Sequence, residues 1–241
     1  MKGVLCMYKD LVKRKEGLDF ENYQGEKGNN SSNTLLKIII FLTVLQFIRI
    51  VSKKIVFLFL DFNKFNNYII TIIIMILLSL FIVYKSKKEN ISLNIFSFME
   101  NKESKSYYTM VTIAILVLII TSPTHNKNLY KESLIFLMYS AVVIPIYEEI
   151  IFRSYIWSKL EKEYDNEWKA YLVSSILFSI WNIGYMDNIV MISGFDKIGW
   201  LLFTKCSIMF TYGIIIGYFK YKIKNSYLSM LIHSFINILG M

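Results

Sequence analysis

Two adjacent carboxylates, Glu148 and Glu149, lie inside an apolar run that reads Ile144-Pro-Ile-Tyr-Glu-Glu-Ile-Ile-Phe-Arg153. An ionisable group in such a run costs a few kcal/mol on insertion scales, about 3, so each one calls for a reason. On a helix Glu149 and Arg153 stand four residues apart and pair, which accounts for both of them. Glu148 points ~100° away and has no partner nearby in sequence. A second polar insertion is Phe178-Ser-Ile-Trp-Asn182, and a third is His233-Ser-Phe-Ile-Asn237, whose polar groups are again four apart on one face. A lone Asn in an apolar helix is most often interhelical glue, and a lone buried His is most often structural. Two such groups on one face shift that weighing. Carboxylate, amide and imidazole converging in a low-dielectric pocket suit hydrolysis of an amide by water. The carboxylate takes a proton from water, and His and Asn donate to the developing oxyanion. A proton or ion pathway uses similar residues, so the chemistry alone leaves both readings open.

The elements that must position these groups are membrane spans. Of 241 residues 55% are hydrophobic and 19% charged, with two prolines and two cysteines, and mean hydropathy is +0.44. That composition excludes a soluble fold, a disordered chain and a disulfide or multi-cysteine zinc scaffold. A span needs ~20 apolar residues. The runs are 35–51, 68–84, 107–122, 133–157, 170–186, 198–219 and 227–241, which predict an all-α polytopic bundle of about seven transmembrane helices, six to eight. The stretch 189–198, broken by Asp196 and Lys197, reads as a re-entrant piece at most. Residues 1–34 read as a cytoplasmic tail without a signal-peptide pattern, and 35–241 as one membrane domain.

The formal charge of +9 lies between the runs. Even-numbered connections carry five, three and three Lys, and odd-numbered ones three, two and one. By the positive-inside rule the N-terminus and the even connections face the cytoplasm of a multi-pass cell-membrane protein. With ~1.5 Å rise per residue, Glu148 then lies ~14 Å from Trp157, Asn182 ~18 Å from Ala170, and His233 and Asn237 ~9 and ~15 Å from Tyr227. All four reach one level in the inner half of the bilayer. Pro145 removes a backbone hydrogen bond and is expected to kink its helix, opening a wet cavity beside Glu148.

Signatures of other intramembrane hydrolases are missing. There is no His-Glu-x-x-His zinc motif and no Gly-x-Ser-x-Gly. Gly184-Tyr-Met-Asp187 lacks a second glycine, and Cys206 sits in an apolar run with no histidine beside it. Nothing suggests nucleic acid as a partner, and paired half-repeats of a transporter are not evident.

In order, the three segments resemble the CPBP family, the CAAX prenyl proteases and bacteriocin-processing or immunity (Abi) proteins. Its pattern is Glu-Glu-x-x-x-Arg, then Phe-x-x-x-His, then His-x-x-x-Asn or Asp, each on its own membrane helix. Glu148, Glu149 and Arg153 match the first, and His233 and Asn237 the third; Gly213-Ile-Ile-Ile-Gly217 also looks like the family's glycine-spaced helix. The resemblance covers 133–241. It implies a glutamate-type endopeptidase core in which Glu148 is the general base, His233 and Asn237 are oxyanion donors, and Glu149 and Arg153 are supporting. No cofactor and no metal are expected, and the expected partners are the lipid bilayer and a peptide or small membrane-protein substrate. The second motif ends in Asn182 where the pattern has His, and an amide cannot take a proton from water at neutral pH. The expected function is therefore intramembrane proteolysis, in peptide or bacteriocin processing or self-immunity. The alternative is a weakened or inactive relative acting as an immunity or scaffold protein.

Overall fold

In the computed structural model the described residues are 33–95, 102–121, 130–164, 166–185 and 198–239. Seven helices occupy them, with no strand among the described residues. They are α1 (Asn33–Val56), α2 (Lys64–Lys88), α3 (Lys102–Thr121), α4 (residues 130–164), α5 (Glu167–Trp181, closed by a 3-10 turn Asn182–Tyr185), α6 (Ile198–Ile223) and α7 (Ser226–Leu239). The protein is an all-α membrane helical bundle. Four helices are long and apolar enough to cross a bilayer, Asn33–Val56, Lys64–Lys88, Leu134–Tyr164 and Ile198–Ile223, whereas α5 and α7 are shorter than a full span. The tail residues 1–32 and the stretch 189–197 lie outside the described residues. The chain divides into two compact units, Met1–Phe41 and Leu42–Met241. The described part of the first is the opening of α1, and everything below concerns the second.

Helix ends follow local chemistry. Asn63 accepts the Asn66 N–H at 2.7 Å and starts α2, whose last turn carries Lys85, Lys87 and Lys88 where the helix dipole is negative. Asn166 accepts from the N–H groups of Trp168 and Lys169 to start α5, and Asn225 accepts from Tyr227 N–H to start α7. The turn into α7 is tight because Lys224 takes φ 59°.

Large side chains such as Phe47, Phe59, Leu80 and Phe203 are exposed, as lipid-facing residues of a bundle must be. The exception is α4. From Ile150 to Trp157 every residue is buried, so this helix runs through the centre with the other elements around it. It is also not a uniform α-helix. Tyr130–Leu137, Ile144–Glu149 and Trp157–Tyr164 are α-helical, but Met138–Val143 and Ile150–Ile156 are wider π turns on either side of the glutamates.

Pro145 accounts for the first of these. In the π turn, Ile144 N–H reaches back five residues to Tyr139 O. The next nitrogen belongs to Pro145, which has no hydrogen to give. The carbonyls at Ser140 and Ala141 are instead taken by α7, from Asn237 Nδ2 at 2.8 Å and from the Ser234 hydroxyl. The second π turn is clipped in the same way, Phe152 O by Ser174 at 3.1 Å and Arg153 O by Ser226 at 3.1 Å. Helix α6 lies against α5 through Gly213 and Gly217. A Cβ at Gly213 would stand 3.1 Å from the Ser175 carbonyl oxygen, and one at Gly217 2.9 Å from the Tyr171 ring. Small residues at that spacing let two backbones approach without a hydrophobic driving force.

Candidate active site

The α-helical segment Ile144–Glu149 delivers Glu148 and Glu149 to different surroundings. Glu149 is fully buried and meets Arg153 at 3.5 Å, the pair expected from their spacing. Arg153, also fully buried, donates through Nη2 to Gly213 O at 3.0 Å and lies 4.4 Å over the Phe178 ring. The Gly213 approach of α6 to α5 therefore brings a carbonyl within reach of this guanidinium, and Phe178 of the second motif covers it.

Glu148 faces the other way, into a cavity of about 360 Å³. Asn182, His233 and Asn237 line the same cavity, along with Ser140, Ile144, Tyr185 and Lys205. The four groups that sequence spacing put at one depth thus share one cavity. His233 stands between the two glutamates, with Nδ1 3.0 Å from Glu149 Oε1 and Nε2 3.9 Å from Glu148 Oε2. Read with its proton on Nδ1, the imidazole is oriented by Glu149, and its other nitrogen is turned toward Glu148. Phe178 meets the imidazole edge-to-face at 5.9 Å. Glu149 thus contacts the imidazole as well as the arginine of its own helix.

The two asparagines are anchored through their amides. Asn182 donates to Phe178 O at 2.9 Å, one turn back on its own helix. Asn237 gives one N–H to the Ser140 carbonyl that Pro145 leaves open, and its amide has a second.

Three side chains of the site were missed in the sequence. Ionisable groups fall in more than the three places expected, because Arg49 and Lys205 also sit inside apolar runs. Arg49 in α1 is 1% exposed. Its signal was the same as that of the glutamates, one charge among Ile48, Ile50 and Val51. Lys205 lines the cavity from α6 with its ammonium 5.4 Å from the centre of the Tyr185 ring. Tyr185 donates its hydroxyl to Glu148 Oε1 at 2.9 Å and is buried. No sequence signal marks it among seventeen tyrosines.

Among the described residues no group of three or more His, Cys, Asp and Glu side chains is arranged to hold a metal ion. What the arrangement offers chemically is a carboxylate, an imidazole fixed by a second carboxylate and amide donors around one space.

Residues 130–239, from the start of α4 to the end of α7, match the family described as type II CAAX prenyl endopeptidase Rce1-like. No curated protein and no solved structure matches the chain.

Proposed function

With its α4–α7 core belonging to the Rce1-like family, a family of CAAX-type proteases, we propose that this membrane protein hydrolyses a peptide bond with water activated by Glu148. The observation that carries the reading is the single cavity onto which Glu148, His233 and Asn237 open from two separate helices. In the proposed reaction Glu148 takes a proton from water as the water oxygen bonds to the scissile carbonyl carbon. The carbonyl oxygen gains the displaced electron pair and is met by the His233 imidazole and by the second N–H of Asn237. Collapse breaks the C–N bond, and the proton held by Glu148 passes to the leaving amine. Glu149 keeps the imidazole in orientation throughout. The peptide is a membrane-embedded or hydrophobic one cut near the cytoplasmic face of the cell membrane, with the N-terminus of the chain on that side, as the lysine distribution supports. Processing of a small peptide such as a bacteriocin leader, or self-immunity, fits that site.

The test is cleavage by purified protein in liposomes of two probes, a prenylated peptide with a C-terminal CAAX box and a hydrophobic leader peptide. Wild type is expected to cleave at least one of them, with Glu148→Ala slower by about 10²-fold or more. Equal behaviour of the two proteins removes the enzyme reading.

One observation favours a second reading, of a binding protein that confers immunity or scaffolds a partner. Asn182 stands in the second motif, its amide tied to the Phe178 carbonyl, and it offers no base. On that reading Glu148→Ala leaves any protective phenotype intact. Loss of protection at normal expression counts against it.

A further inference from the structure

We propose that Tyr185 is the positioning residue that orients Glu148, and that Arg49 of α1 holds Tyr185 in place. The phenol donates to Oε1 of Glu148 at 2.9 Å, and both side chains line the cavity. Occupying Oε1 fixes the plane of the carboxyl group and leaves Oε2 on the side of His233, 3.9 Å from Nε2.

What holds the phenol is a grip from α1 on the chain around it. Arg49 Nη2 donates to Gly184 O at 2.6 Å, its guanidinium lies 4.4 Å from the centre of the Tyr185 ring, and Nε donates to Gln46 Oε1 at 2.8 Å. Gln46 in turn donates to Trp181 O at 3.0 Å. Two side chains one helical turn apart thus take the carbonyls on either side of Asn182 and Ile183. The grip is close, because a Cβ on Gly184 would collide with the Gln46 amide. A buried arginine in an apolar helix is expensive to keep. Stacking on the aromatic ring that touches the working carboxylate gives it a purpose that packing alone does not.

The inference rests on Glu148 being the working carboxylate, and it adds the group that aims it. The charged and titratable side chains around Glu148 are Tyr139, Tyr147, Glu149 and Arg153 on α4, Arg49 from α1, Tyr185, Lys205 and Tyr212 from α6, and His233 from α7. A hydrogen bond donated to a carboxylate favours its charged form.

The experiment is an infrared difference titration of the full-length protein in detergent, following the carbonyl stretch of the protonated carboxyl that is lost in Glu148→Gln. Tyr185→Phe is expected to raise the titration midpoint by about one pH unit or more. Tyr227→Phe, whose hydroxyl meets Thr112 away from the cavity, is expected to leave it unmoved. An unmoved midpoint in Tyr185→Phe, or an equal shift in Tyr227→Phe, overturns the assignment. Should Tyr185→Phe fail to fold, a ring-fluorinated tyrosine placed at 185 keeps the shape and donates more strongly. It is expected to lower the midpoint, and no change or a rise overturns the proposal. Neither arm uses a peptide substrate, so failure here is distinct from failure of the cleavage test.

Discussion

Asn237 donates its side-chain amide to the carbonyl of Ser140, the residue five before Pro145 on the neighbouring helix. A proline in α4 thereby creates the acceptor that docks α7. The docked residue is one of the two read as oxyanion donors, so one backbone irregularity both seats the helix and places a functional side chain. Ser234, three residues earlier, does the same for Ala141.

This coupling predicts a non-additive result. Asn237→Leu leaves the Ser140 carbonyl buried without that donor and is expected to cost about 1–3 kcal/mol in thermal unfolding in detergent. In a Pro145→Ala background a backbone N–H returns to serve one of the open carbonyls, and the same substitution costs less. A double-mutant cycle with no interaction energy would show that Pro145 and Asn237 act independently.

The buried pair of Glu149 and Arg153 predicts an asymmetry. Arg153→Met leaves a fully buried carboxylate at His233 Nδ1 without its arginine and is expected to cost about 3–5 kcal/mol. The double variant Glu149→Gln with Arg153→Met removes both charges and is expected to be more stable than Arg153→Met alone. The comparison is made by melting temperature in detergent, and a double variant less stable than the single one contradicts it.

The contact of α5 with α6 predicts a graded glycine series. Gly213→Ala presses against the Ser175 backbone oxygen and against Phe178, and it disturbs the carbonyl that receives Arg153. It is expected to destabilise by about 1–3 kcal/mol. Gly217→Ala meets the Tyr171 ring, which can tilt, and is expected to cost less. Gly199→Ala, with open space around it, is expected to be neutral or slightly stabilising. Melting temperatures order the three, and an equal loss at Gly199 would mean that helix contact is not the cause.

At the end of α2, Glu89 sets a pH dependence. Partial burial pushes its carboxyl up, but Lys159 at 2.9 Å, Lys85 at 2.6 Å and the Tyr155 hydroxyl at 2.8 Å outweigh that and hold it at about 2, below the ordinary 4.5. Its folded value is depressed, so the stability it contributes is fully present above pH 4.5 and is lost as pH falls from there through about 2. Because the site is partly exposed the effect is small, about 2 °C in melting temperature. Glu89→Gln is expected to flatten that part of the profile, and a decline as steep as in wild type would assign the acid sensitivity elsewhere.

Much of the site was legible because polar groups in apolar runs are rare. Glu148, Glu149, Arg153, Asn182, His233 and Asn237 stood out by type and spacing, and helical rise alone set the four cavity-facing groups at one depth. Arg49 and Lys205 carried the same signal of a single charge among aliphatic residues. Tyr185 carried none, since a tyrosine is ordinary in a membrane helix and the 3-10 turn that points it at Glu148 is not written in hydrophobic periodicity.

The sequence by itself determined that the chain is a helical membrane protein, roughly where its helices run, and which few residues bear its chemistry. Each of these follows from local cost, the penalty for an apolar residue in water or a charge in lipid. Tertiary structure alone decided the pairings: imidazole between two glutamates, phenol on Glu148, Arg49 beneath the phenol and α7 side chains on the carbonyls that a proline left open. Those contacts join residues as many as 135 apart. They depend on how helices with π turns and close-packed glycines pack against one another, which no local pattern encodes.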